Sequence, residues 1–516
     1  MGLVAAPTAF AQTEGGGQPL SAIDWLSVSA TAPQPETGAW PVTPAEDGTT
    51  ADSGISVRAL DALRPEAVGL FPAARVGLPS TLWGPTPAEE LAARILALPG
   101  DMLPAQRDLA MRLLLAEVDA PLPQQDPAGQ PLFLLARIDA LIGFGALDQA
   151  AALLDALGSD QPVLRLRRFD IGLLLGDEHA ACTGVLQPDP PIGDDAALVF
   201  CLARANQWPL AEQVLAVATQ SRRLDPYMIE LLEQFLDEDE GLSGSATLLP
   251  PPAGVPTPLA LRLREATGDG ALTTGLPVAF AHSDLRGTAG WRAQIDAAER
   301  LVRAGALAPN RLLGLYTERR AAASGGIWER VRQIQRLDTA LGGSDPLAVG
   351  EALVALWPLV RAGELEVAIA SLYAPLLVPV PLDGPAAAVA FRMMLLSDSY
   401  ETAALGLSGA QSTPETRFLA AVARGLDPVA EGGSLPGELA GAVAIAFGPD
   451  PMVPEGLSAR LATGALGAEI LSVLARLGGP GDPRALAEGL GALRAMGLED
   501  VARRSALQVL LLERNG

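Results

Sequence analysis

The 516-residue sequence contains no lysine, so all 36 of its basic side chains are arginines. That absence removes P-loop, Schiff-base and kinase-type lysines, because each of those chemistries needs a primary amine. Histidine is nearly absent as well: His179 and His282 are the only two. A Ser-His-Asp relay would have to use one of them, and no Gly-x-Ser-x-Gly turn accompanies either. Two cysteines, Cys182 and Cys201, with two distant histidines do not make a four-ligand metal set. These gaps predict a non-enzymatic protein with no cofactor and no metal. Aromatic residues are only 4% of a chain that is 49% hydrophobic, so alanine and leucine carry the apolar content. Strands favour β-branched and aromatic residues and helices favour Ala and Leu, which points to an all-α fold. Basic charge is outnumbered, 36 groups against 60 acidic ones for a net charge of −24. Such a chain repels phosphate backbones and anionic membrane surfaces, so no nucleic-acid partner is expected. Long apolar runs are missing too. The best, Leu439 to Phe447, is too short to span ~30 Å of hydrocarbon, so no integral membrane segment is predicted.

What is present is ordered along the chain. Residues 1–11 read as the remnant of an export signal: Leu3 to Ala6 is apolar, and Ala9-Phe10-Ala11 is a small-x-small cleavage site before Gln12. This predicts a periplasmic protein with a shortened leader. Residues 12–56 are rich in Gly, Pro, Ser and Thr and read as a flexible linker. Ile23, Trp25 and Leu26 form an apolar island in it. Two readings stand for that island: a partner-docking motif, or a segment that folds back on the protein's own surface. A second Gly/Ser/Pro-rich stretch, 241–258, predicts a boundary between helical lobes at 57–240 and 259–516.

Within the lobes, helices alternate with short breaks. Thr86-Pro87-Ala88-Glu89 reads as a capping box with proline at the first helical position. Leu132 to Ile142 has helical apolar spacing, Gly143-Phe144-Gly145 breaks it, and Leu147 starts a second helix. Similar helix–turn–helix units follow at Leu164 to Ala180 and Ala197 to Glu212, with echoes at Gly363 and Gly497. Small residues are expected where paired helices approach: Ala150, Ala180 and Ala211, spaced by about 30 residues, then Ala368 and Ala502. The final helix, from Val501, carries Arg503, Arg504 and Arg514, which suits a terminal capping helix with a polar outer side.

On the pattern Gly145-Ala146-Leu147-Asp148-Gln149-Ala150, helix, glycine turn, then a Leu-Asp-x-Ala helix start, the chain resembles the tetratricopeptide family. The match covers roughly 132–220. The period is shorter than the ~34 residues of that family, and the Trp-x-x-Leu-Gly-x-x-Tyr opening is missing. The resemblance implies αα-hairpins stacked as a right-handed superhelix, an α-solenoid, with a groove that binds partner peptides or domains. The composition also resembles Ala-rich exported proteins of GC-rich proteobacteria, which implies no activity. The expectation is therefore a periplasmic protein–protein interaction scaffold with an unspecified protein partner. The alternative is an envelope-polymer (peptidoglycan or glycan) binding or processing protein with an unrecognised site. Arg165, Arg167 and Arg168 crowd one helix and can either recognise an acidic partner or pair with neighbouring carboxylates. Cys182 and Cys201 fall on adjacent helices, where a disulfide and two buried thiols are both open. An even count in an exported chain favours the bridge, and closing such a loop contributes about 3 kcal/mol.

Overall fold

The computed structural model describes residues 65–512 except 123–129, 159–160, 188, 190, 240–248, 253, 269–272, 344 and 478–480. The signal remnant, the linker and its Ile23-Trp25-Leu26 island lie outside the described residues. The fold is all-α. Its only named strands among the described residues are the two-residue segments Phe71–Pro72 and Ala116–Glu117, paired in parallel. Among the described residues ten helices occupy the first half: α1 (Ala88–Leu96), α2 (Pro104–Leu115), α3 (Leu132–Gly143), α4 (Leu147–Leu157), α5 (Pro162–Leu175), α6 (Glu178–Val185), α7 (Asp195–Arg204), α8 (Trp208–Gln220), α9 (Pro226–Asp239) and α10 (Pro258–Ala266). Fourteen more follow, of which α12 (Trp291–Arg303), α16 (Glu366–Leu377), α22 (Leu466–Leu477), α23 (Pro483–Ala495) and α24 (Glu499–Leu511) shape what comes below. The capping box expected at Thr86 does not form: α1 starts at Ala88 without a side-chain cap, and the Ala88 amide donates to the Leu122 carbonyl instead.

One device ends helix after helix. A residue in the left-handed region follows the last turn, and the next amide reaches back to the carbonyl five residues earlier. At five of these turns the left-handed residues are Gly145, Gly176, Asn206, Glu364 and Gly497. The bonds run from Ala146 to Leu141 (2.8 Å), Asp177 to Gly172 (2.8 Å), Gln207 to Leu202 (2.9 Å), Leu365 to Val360 (3.0 Å) and Leu498 to Leu493 (2.9 Å). This is the Schellman arrangement, which satisfies a carbonyl the helix leaves open and turns the chain back on itself. Five residues after each of these five positions stands a side chain no more than 2% exposed: Ala150, Ala181, Ala211, Ile369 and Ala502. Of the packing alanines named from the sequence, Ala150, Ala211 and Ala502 are buried and two are not. Ala180 is exposed and Ala368 only half-buried, because their register counts from the left-handed residue and not from the nearest alanine. The approach is close between α5 and α6, where a Cβ placed on Gly172 would lie 2.8 Å from that of Ala181.

The described helices belong to one compact unit, residues 61–516, and the stretch 241–258 does not divide its core. One apolar cluster joins Phe169, Phe200 and Phe235 to Leu259 and Leu263 across that stretch. Helices α5 to α10 form this side lobe, in which Phe200 stacks on Phe235 at 5.4 Å and meets Phe169 edge-on at 6.2 Å. The chain then returns to the hairpin it left. The Gly145 turn packs against Val278 and Leu301, and the buried His282 donates through Nε2 to the Gly145 carbonyl at 2.7 Å.

A second correction concerns the last helix. It is no polar-faced cap at the end of a stack. Ala502, Ala506 and Leu507 of α24 are buried in the same cluster as Leu109 and Leu113 of α2. Gln508 accepts a hydrogen bond from the Ala105 amide at 2.9 Å, so the final helix caps the first turn of α2 across 403 residues of sequence. Nearby, Trp83 lies over Gly467 in α22, where a Cβ would come within 2.5 Å of the indole. The Gly467 amide donates to the Leu82 carbonyl at 2.9 Å, and Trp83 meets Phe133 edge-on at 5.1 Å. Arg503 and Arg504, read from sequence as the outer face of a cap, form ion pairs with Glu401 and Glu499 and with Asp398 and Asp500. We refer to this junction of first and last elements as the seam.

Candidate functional site

A cleft of about 890 Å³ opens beside the seam, a volume in the range of ligand pockets. Its walls come from four stretches far apart in sequence: 100–107, 276–304, 439, and 476–509, with Glu364 at one side. Four arginines line it, Arg107, Arg300, Arg303 and Arg476, against three carboxylates, Asp101, Glu364 and Asp482. In a chain with 60 acids and 36 arginines the balance is locally reversed. The remaining wall is apolar and includes Met102, Leu439, Leu477, Leu486 and Val509.

The four arginines do different things. Arg300 donates to Thr273 Oγ1 (3.1 Å) and the Leu276 carbonyl (3.0 Å), so its fork holds the loop before residue 278. Arg107 is 5% exposed, lies over the Phe144 ring at 4.8 Å and donates to the Gly100 carbonyl. Its Nε has no acceptor, and burial lowers its pKa while Asp101 opposes the shift. Arg303 and Arg476 are exposed, and among the described residues neither has a hydrogen-bond or ion-pair partner. Glu299, one helical turn before Arg303, is buried and taken by Tyr316 (2.7 Å) and Arg330, which keeps it from neutralising Arg303. The acids are partly committed. Asp482 caps α23 by accepting from the Arg484 amide at 2.9 Å, and Glu364 has an interaction partner of its own.

The residues that the sequence singles out lie elsewhere. Arg165 is buried, donates to the Gly184 carbonyl at 2.9 Å and packs under α6, so it presents no surface to a partner. Arg167 grips Asp139 with Nε at 2.6 Å and Nη2 at 3.1 Å, and Arg168 pairs with Asp155 at 2.9 Å. The three point to three different partners and form no common patch. Cys182 on α6 and Cys201 on α7 do come together, with their sulfurs 2.05 Å apart and Cα atoms 5.2 Å apart, a disulfide-capable pair. His179 is exposed at the start of α6, while His282 holds the Gly145 turn. Among the described residues no group of three or more His, Cys, Asp or Glu side chains is placed to hold a metal, and no helix is long and apolar enough to cross a membrane.

None of the cleft arginines carries a sequence signal of its own. The one trace is negative: Arg476 has no acid three or four residues away on either side, unlike Arg94 with Glu90 or Arg484 with Glu488. No protein-family model, curated protein or solved structure matches the chain.

Proposed function

We propose that the protein is a non-catalytic binding scaffold of the periplasm that holds a protein partner in the cleft beside the seam. The observation that carries this reading is the cleft itself: four arginines face three acids there although the chain has 60 acids to 36 arginines, and an apolar wall stands beside them. Charge complementarity steers encounter and selects partners, and an adjoining apolar surface supplies affinity. The recurring hairpins with left-handed turns support their reading as divergent tetratricopeptide-like repeats, whose stacked faces make extended binding surfaces. The cysteine pair supports an oxidising compartment.

The test is affinity co-purification of the tagged full-length protein from envelope extract after mild crosslinking, beside an Arg303→Glu/Arg476→Glu variant. A stoichiometric protein partner on the wild type, lost from the variant, is the expected result. Recovery of the protein alone at every salt concentration, or with glycan in place of protein, overturns the scaffold reading.

A further inference from the structure

Resting on that reading, we propose that the group recognised in the cleft is a carboxylate flanked by apolar side chains, as presented by an acidic–apolar peptide segment of the partner. The donors that remain for a ligand are planar guanidinium forks. Arg303 and Arg476 stand exposed without a partner among the described residues, and Arg107 edges the cleft beneath them, 5% exposed, with its Nε lacking an acceptor. A buried cation short of acceptors is costly, and an anion seated nearby relieves that cost.

Backbone amides are a different matter. A phosphate cradle draws on free N–H groups at a helix start or glycine-rich loop. Two helices begin at the cleft, and the first N–H of each is taken. Leu103 donates to Gln106 Oε1 (3.3 Å), Ala105 to Gln508 Oε1 (2.9 Å) and Arg484 to Asp482 Oδ1 (2.9 Å). What is left matches the two-oxygen edge of a carboxylate, which a guanidinium binds through parallel hydrogen bonds. The apolar wall of Leu439, Leu477, Leu486 and Val509 sets the second requirement. A bare anion leaves that wall in water, and an uncharged hydrophobe leaves the arginines unanswered. A peptide with a Glu or Asp between Leu-like residues satisfies both.

The experiment uses the purified full-length protein and three probes: acetyl-Leu-Glu-Leu-Leu-amide, its Gln counterpart, and inorganic phosphate. Binding is read by thermal shift and by displacement of a fluorescein-labelled copy of the Glu peptide. The Glu peptide should raise the melting temperature in a dose-dependent way and bind at least about tenfold more tightly than the Gln peptide, the worth of one charge-assisted pair. Arg303→Lys/Arg476→Lys keeps the charge and removes the fork. It should weaken the Glu peptide by about tenfold while leaving the unliganded melting temperature in place, since both side chains are exposed. Equal binding of the Glu and Gln peptides, no binding of either, or phosphate performing as well as the Glu peptide overturns the proposal. If the proposal fails this way while the wild type still crosslinks a stoichiometric partner, the carboxylate inference falls and the scaffold reading stands.

Discussion

The seam and the side lobe solve the same problem, holding helices together, by opposite means. The side lobe is local. Its ring ladder, Phe169, Phe200 and Phe235, joins the alternate helices α5, α7 and α9, and its cysteine pair joins the successive helices α6 and α7. At the seam, Trp83, Gly467, Ala105 and Gln508 join the beginning of the described unit to its end. Local contacts form at small loop-closure cost and open independently, whereas contacts across the whole chain make the remainder of the unit depend on them. The seam is therefore where global stability is concentrated, and the lobe is where partial opening is cheapest. The candidate cleft draws its walls from the seam side.

The largest effect that sharpens this contrast is Trp83→Ala. Removing a fully buried indole costs about 3–5 kcal/mol, and at the seam it should lower the urea midpoint of the entire unit. Phe200→Ala removes a comparably buried ring and should first expose the amides of α5 to α10, measured by hydrogen exchange. One shared transition for both variants, with no early loss in the lobe, would erase the distinction.

A smaller effect comes from the cysteines. Reducing the oxidised protein, or replacing Cys201 by Ser, should cost the lobe about 3 kcal/mol and leave protection at the seam unchanged. Indifference to reductant would mean that Cys182 and Cys201 are buried thiols in solution.

A further effect is on pH dependence. Asp170, on α5, has its pKa raised to about 7, chiefly by burial; Arg167 opposes this, while Asp194 and Asp139 add to it. In the unfolded chain it titrates near the ordinary 3.8. The folded lobe thus binds an extra proton between those values, so the lobe loses stability as pH rises from about 4 to 7 and regains none above. Asp170→Asn should flatten that part of the profile and make the lobe firmer at pH 8 than the wild type. An unchanged slope in denaturation at pH 5 and pH 8 would remove Asp170 as its source.

Much of the local structure was legible from sequence because it rests on short-range chemistry. Ala and Leu in helical spacing predict helices, and Gly145, Gly176 and Gly497 mark turns where only a residue without a Cβ adopts the left-handed conformation freely. Where Asn206 and Glu364 occupy the same position, the signal weakens, since Asn tolerates that region and Glu is rarely found there. The slip at Ala180 and Ala368 has the same origin: in an alanine-rich chain, alanine is a poor ruler, and the turn residue is the better origin for counting. The seam was not legible. Gln508 reads as one more polar helix position, and Gly467 as a weak point in a helix, until Ala105 and Trp83 are seen against them. The cleft arginines were missed for a related reason, because they come from three separate helices, α2, α12 and α22, and only the fold gathers them. Arg165, Arg167 and Arg168 drew attention by crowding in sequence, and the fold sends them apart.

The bond between Ala105 and Gln508 also sets a clock. A ribosome adds about 5–20 residues per second, so the acceptor on Gln508 emerges roughly 20–80 s after the amide it will cap, 403 residues behind it. Through that interval α2 has no cap from α24, and Trp83 has no glycine of α22 to lie against. The unit can assemble hairpins as it is made but cannot lock. Whatever the early hairpins gain from their own turns, the contacts that tie them to the rest of the unit arrive only with α22 and α24.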